Sequence, residues 1–92
     1  MKVLQPVTGD PKISHMFWCP GCKGHHYFGP GWAFDGNVEA PTISPSILVR
    51  TCYDGVTPHV CHMFVRAGRI EYLSDCTHAL AGTTIDMVEI ER

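Results

Sequence analysis

No stretch of this chain approaches the roughly 18 apolar residues that a membrane-crossing helix needs. The first residues, Met1-Lys2-Val3-Leu4-Gln5-Pro6, lack the long apolar core and small-residue cleavage pattern of a secretory signal. No run of like charges is long enough to form a tail. Seven basic and nine acidic residues, for a formal net charge of −2, supply no concentrated basic face of the kind a general nucleic-acid binder uses. Internal repeats, linkers and low-complexity segments are absent too. Nine Gly and seven Pro leave little room for long helices. These absences leave a single domain over residues 1–92, with reduced thiols in the cytoplasm. A disulfide-bonded secreted domain is the alternative. At this length folding hides roughly 60–65% of the extended chain's surface, so a metal or disulfide staple is a common supplement to the core.

What the chain does have is Phe17-Trp18-Cys19-Pro20-Gly21-Cys22-Lys23-Gly24-His25-His26-Tyr27-Phe28. Two thiols flank a Pro-Gly turn between aromatic runs. Zinc takes thiolates at about 2.3 Å in a tetrahedron, and a two-residue gap lets both sulfurs face one centre. A thioredoxin-like redox pair would need a βαβ setting, which the pattern lacks. There is no second Cys-x2-Cys, so the remaining ligands must include His or Asp. Neighbours on a strand face opposite ways, so at most one of His25 and His26 reaches the metal. His26 is the candidate, with a surface or supporting role as its alternative.

Further along, Cys61-His62 lies on the clearest strand, Val60 to Arg66. Alternation puts Cys61, Met63 and Val65 on one face and His62, Phe64 and Arg66 on the other. A buried imidazole needs partners for both nitrogens, whereas Cys61 is easily a small core residue. The expected ligand is therefore His62. In Asp75-x2-His78 a carboxylate stands near an imidazole that it can orient. The alternative there is an Asx-turn with an exposed histidine, and Cys76 is a rival ligand. Cys52 reads as an edge or core thiol. Glu39 matters only if the proline-rich loop folds over the metal. Thr42, Ser44 and Ser46 could line a pocket, but more simply pin that loop by hydrogen bonds.

The elements follow from turns and alternation. Residues 1–14 form a lead-in with an edge strand and a turn. His15 to Trp18 and His26 to Phe28 flank the knuckle. Val38 to Ser46 is an extended loop, because Pro41 and Pro45 exclude a helix interior and a central strand. Ile47 to Thr51 alternates little, as a strand covered on both faces would. Tyr53 to Pro58 is a surface loop. Val60–Arg66 and Arg69–Leu73 make a hairpin about Ala67-Gly68, and Thr83 to Ile90 closes the sheet. The fold class is mainly β: a small antiparallel domain with a zinc knuckle and little helix.

Four blocks in order carry a resemblance over residues 15 to 88. They are Phe17-x-Cys19-Pro20-Gly21-Cys22 with His26; Trp32 and Gly36-Asn37-x-Glu39-x-Pro41-Thr42-x-Ser44-Pro45-Ser46; Cys61-His62-x-Phe64 with Gly68-x-Ile70; and Leu73-x-Asp75-x-Thr77-His78-x-Leu80-Ala81-Gly82. The chain resembles small phage and prophage zinc-binding proteins often labelled "ammonia monooxygenase". That label does not suit a chain of this size. The same proteins are similar to a predicted metal-dependent hydrolase group named for a Cys, a Glu and two His, found beside bacterial ubiquitin-like conjugation genes. The resemblance implies Glu39 for the Glu, His62 and His78 for the histidines, and Cys19, Cys22 or Cys61 for the Cys. It also implies a bacterial host cell as the setting.

Together these readings expect one Zn2+ held by Cys19, Cys22, His62 and His78, with His26 as a fifth candidate. Such ligands would close a long loop that a small core holds weakly. Two functions compete. In one, the zinc is saturated and structural, and the protein acts by contact with a host or phage protein. In the other, three ligands leave a place for water, Glu39 is the general base of a peptidase-like hydrolase, and Asp75 orients His78. A knuckle stacking single-stranded nucleic acid on Trp18, Tyr27 and Phe28 is a third reading.

Overall fold

The computed structural model describes residues 1–51 and 55–90. Cys52 and part of the loop read over residues 53–58 lie outside the described residues. The described residues contain eight strands and no helix. Two antiparallel sheets divide them. The first has the order β1-β2-β3, from Gln5–Pro6, His15–Cys19 and Gly24–Phe28. The second runs β4-β5-β6-β7-β8, from Ala33–Phe34, Ile43–Thr51, His59–Arg66, Arg69–Tyr72 and Thr84–Asp86. The mainly β antiparallel reading therefore holds.

Hairpin β2-β3 is closed by the Cys-Pro-Gly-Cys-Lys turn, with Cys19 opposite Gly24. Lys23 N–H donates to Cys19 O at 2.8 Å, and Lys23 takes φ of 55° to let the chain return. Hairpin β6-β7 turns through Ala67-Gly68, both at positive φ (50° and 77°). That is the primed two-residue turn whose twist suits an antiparallel pair.

One core lies between the sheets. Phe17, Cys19 and Phe28 enter it from β2-β3, and Ile43, Ile47, Cys61, Met63, Val65, Ile70 and Tyr72 from the larger sheet. Fully burying a Val, Ile, Met or Phe side chain is worth about 1.5–3 kcal/mol, so Phe17, Phe28, Ile43, Ile47, Met63, Val65 and Ile70 contribute strongly to holding the sheets together.

Strand β5 departs from the expectation in two ways. It begins at Ile43, four residues earlier than the alternation suggested, and runs through Pro45. Its proline is tolerated because the register against β6 breaks there. Ile43 pairs with Val65 but Ile47 with Met63, so two surplus residues bulge from β5. Beyond the bulge, β5 is covered on one face and open on the other. Ile47 is 2% exposed and Leu48 43%.

Candidate active site and metal centre

Strand β6 alternates between two different sites. Cys61 points inward and is fully buried, while its neighbour His62 points to the open face. Each neighbour belongs to a separate cluster of polar side chains.

On the inner face, Cys19, Cys22, Cys61 and His78 each offer a ligand atom, all within 4.8 Å of one another. Cys19 Sγ and Cys61 Sγ stand 3.8 Å apart, and His78 Nε2 lies 3.4 Å from Cys61 Sγ. Two sulfurs each about 2.3 Å from a tetrahedral zinc would be about 3.8 Å apart. The donor set and its spacing thus fit a four-coordinate cation. The fourth donor is Cys61, where the sequence reading had placed His62.

Several groups set this cluster in place. Cys22 N–H donates to Cys19 Sγ at 3.4 Å, the contact that the two-residue gap creates. Tyr72 Oη sits 3.1 Å from Cys19 Sγ, and its ring meets His78 edge-on at 4.6 Å. His59 Nε2 lies 3.1 Å from Cys22 Sγ. Leu80 N–H donates to His78 Nδ1 at 3.2 Å, turning Nε2 toward the sulfurs. Gly21 is required by this packing, since a Cβ there would collide with Cε1, Nδ1 and Nε2 of His78.

The electrostatics suit a thiolate site. Hydrogen bonding from Cys61 is the main cause that pulls the Cys19 thiol down to about 3; burial opposes it, and His26 and Tyr72 add to the lowering. Burial, then the Cys19 charge, pushes Cys22 up to about 12. Cys61 is raised chiefly because it hydrogen-bonds to the Cys19 thiolate. One negative charge among three thiols is what crowding allows without a cation. Burial lowers His78, which keeps it neutral and able to donate a lone pair.

His26, the fifth candidate, stands beside Cys19 but is not one of the four. It is 4% exposed and packs edge-on against Phe17, and its Nε2 is buried with no hydrogen-bond partner among the described residues.

On the outer face, His62 forms a relay. Its Nε2 is 3.0 Å from Ser46 Oγ, and its Nδ1 is 3.0 Å from Asp75 Oδ2. Asp75 therefore orients His62, not His78 as the sequence had suggested. Ser46 owes its position to the bulge in β5. It shares the parity of Leu48, which lies opposite His62 in the register, so Ser46 reaches His62 diagonally. Cys76 fixes the main chain beneath the relay. His62 N–H donates to Cys76 Sγ at 3.2 Å, and the Cys76 thiol donates back to His62 O at 3.1 Å. It acts here as a clamp in the turn that carries Asp75, where the sequence had offered it as a rival ligand.

A nucleophile, an imidazole in hydrogen-bond reach and a carboxylate on the far ring nitrogen make up the geometry of serine acyl transfer. Residues 3–73 match the family described as "Bacterial ubiquitination-like system serine protease (BubE)". The chain belongs to this family. No curated protein and no solved structure matches it. The BubE match spans Cys19, Cys22, Ser46, Cys61 and His62, and stops before Asp75 and His78. Those two residues join the sites through the turn after β7. Leu73 N–H and Thr77 N–H donate to His62 O and Val60 O, so this turn runs along β6 in place of a further strand.

Glu39 lies elsewhere. Its carboxylate accepts from the Met1 ammonium at 2.9 Å, in a cleft shared with Lys2, Glu89 and Ile90. That hydrogen bond and the ammonium charge hold the Glu39 carboxyl below its ordinary value. No ligand candidate lines this cleft. Of the aromatic residues read as a stacking platform, Phe28 is buried in the core and Trp18 packs edge-on against His25.

Proposed function

We propose that this protein is a serine peptidase in which Ser46 is the nucleophile, His62 the general base and acid, and Asp75 the group that orients and stabilises His62. The carrying observation is the continuous relay from Ser46 Oγ through His62 to Asp75, with both links at 3.0 Å. In the first half-reaction Ser46 Oγ bonds to the scissile carbonyl carbon while His62 Nε2 takes the hydroxyl proton. His62 then returns that proton to the leaving amine as the C–N bond breaks, and an ester remains on Ser46. Water repeats the sequence, and its attack releases the carboxylic acid product and restores Ser46. Asp75 stabilises the imidazolium that forms at each step. The family description, a serine protease of a ubiquitination-like system, supports proteins of such a system as substrates, and the acyl-transfer chemistry suits a peptide or isopeptide bond.

The inner cluster has a separate task. Cys19, Cys22, Cys61 and His78 would hold a structural Zn2+ with all four positions filled by protein. That arrangement leaves no place for a zinc-bound water. Glu39 lines a separate cleft and belongs neither to the four donors nor to the Ser46–His62–Asp75 relay, so no base role falls to it. The reading therefore joins two earlier alternatives, taking the structural metal from one and hydrolysis from the other.

The test is labelling of the purified zinc-loaded protein with a small fluorophosphonate, followed by peptide mapping. A single adduct on Ser46, absent from Ser46→Ala, is the expected result. An unmodified Ser46 in correctly folded protein overturns the serine mechanism.

A further inference from the structure

The strand that carries Ser46 has a free edge beside it. In an antiparallel ladder, N–H and C=O of one residue point to the same side, and successive residues alternate sides. His62 spends its N–H on Cys76 Sγ and its C=O on Leu73 N–H. Val60 spends its own on Thr77 Oγ1 and Thr77 N–H. Both residues therefore face away from β5. Their register partners, Leu48 and Arg50, must in turn face away from β6.

Among the described residues, β5 has almost no neighbour on that far side. β4 pairs only with Ile43 and Ser44. At Ser46 the lane is closed by Trp32, whose Nε1 donates to Ser46 O at 3.4 Å. From Leu48 to Arg50 no described residue takes up the backbone groups that face out. Two donors and two acceptors thus stand in a row ending at the nucleophile, with the exposed Leu48 side chain on the same face as Ser46 and His62.

We infer that this edge is the substrate channel, and that the segment preceding the scissile bond binds there as an added strand antiparallel to β5. The inference rests on the serine peptidase reading and deepens it by assigning how the substrate is held. Direction follows from the lane. An antiparallel strand passes Arg50, then Leu48, and arrives at Ser46 with its C-terminal end. Its attacked carbonyl then meets the point where Trp32 and β4 block further pairing. The acyl portion remains in the lane while the amine portion leaves the plane of the sheet. The substrate residue two before the attacked one exchanges a pair of hydrogen bonds with Leu48, and the residue two before that with Arg50. The occupant so defined is an extended polypeptide with an unstructured C-terminal stretch of at least five residues ahead of the cleaved bond. A folded surface loop cannot enter the lane.

The experiment compares two probes on zinc-loaded protein. One is the small fluorophosphonate, which needs only Ser46 and His62. The other is a five-residue peptidyl diphenyl phosphonate, whose peptide must lie in the lane before the phosphorus meets Ser46. In Leu48→Pro the outward N–H is lost, but no bond of the β5-β6 ladder is, and a proline is tolerated where its missing N–H faced solvent. Peptidyl labelling should slow by about tenfold, the cost of one hydrogen bond whose substrate acceptor is left unpaired, while fluorophosphonate labelling is unchanged. Equal peptidyl rates in wild type and Leu48→Pro overturn the channel. If Leu48→Pro loses zinc or fluorophosphonate labelling, wild-type protein is tested with the peptide N-methylated at the nitrogen opposite Leu48. A tenfold slower reaction supports the channel, and an unchanged rate overturns it. Failure of the fluorophosphonate on wild type defeats the peptidase reading instead, so the two failures are distinguishable.

Discussion

Cys61 and His62 are adjacent in sequence and opposite in every physical respect. Cys61 is fully buried, bonded to two cluster members, and part of a donor set closed on all four sides by protein. The His62 side chain is 25% exposed, and the Asp75 side chain beyond it is 57% exposed. Strand alternation lets one element serve both needs without either interfering. The inner face gathers three thiols and an imidazole that one cation could bridge, and the outer face keeps an imidazole bonded to a hydroxyl and a carboxylate. The two faces should therefore fail in different ways when altered.

The largest effect belongs to the outer face. His62→Ala removes the base that activates Ser46, and hydrolysis should fall about 10⁴–10⁶-fold. Metal content and melting temperature should stay near wild type, because His62 is not among the four donors. Zinc analysis and thermal unfolding check this directly. Loss of the metal from His62→Ala would show that the two sites are one.

Asp75→Asn is the next step down. It preserves shape but lets the ring settle in the wrong tautomer, which costs about 10³–10⁴-fold in kcat with a smaller change in KM. An intact rate in Asp75→Asn, measured on the same peptide, would mean that His62 needs no orienting carboxylate.

How much of this was legible beforehand differs between the faces for physical reasons. The period of two separated Cys61 from His62, and the hairpin and knuckle followed from turn residues. Which face was inner was also written in the chain: Met63 and Val65 accompany Cys61, while Arg66 accompanies His62. That row belongs inside, and Cys61 reads as a core residue on that ground alone. A core thiol and a candidate metal donor look like alternatives in sequence, yet at Cys61 they coincide. Ser46 carried no comparable signal. A nucleophilic serine has no distinctive neighbours in sequence, and its place depends on a two-residue register slip that pairing creates. Tyr72, which supports Cys19 from β7, was likewise invisible, since nothing local tells a buried tyrosine that it will meet a thiolate.

The inner face should fail through stability. Cys61→Ser removes one thiolate, and zinc affinity is folding free energy in a domain this small. A loss of roughly 3–5 kcal/mol, read in chemical denaturation, is expected, since it removes a donor from a buried charged site. Chelation of wild type should act in the same direction. The pH dependence has a definite sign. Cys22 and Cys61 both sit above the ordinary thiol value when protonated, so binding must expel their protons. Zinc affinity should rise with pH from acid toward neutrality, and the metal should be lost first as pH falls. Affinity that is flat between pH 5 and 8 would contradict thiolate ligation. Activity in Cys61→Ser is expected to fall only in proportion to the unfolded fraction, which separates this face from the other.

Gly21→Ala probes the same face more gently. The new methyl meets the His78 ring, which has to swing away from the sulfurs. A cost of about 1–3 kcal/mol, typical of overpacking, should accompany weaker zinc binding. Normal zinc affinity would show that His78 is dispensable.

The smallest effect lies at the far end of β6, away from both sites. Ala67 takes φ of 50° in the two-residue turn, a conformation that costs an alanine free energy and that asparagine adopts readily. The Ala67 N–H donates to Thr42 Oγ1 from the backbone, so the substitution leaves that hydrogen bond in place. Ala67→Asn should therefore stabilise the domain by about 0.5–1 kcal/mol, seen as a shifted denaturation midpoint with an unchanged slope. Neither zinc affinity nor labelling of Ser46 should move. If either does, strain in the β6-β7 turn reaches His62 along the strand, and the independence of the two faces is lost.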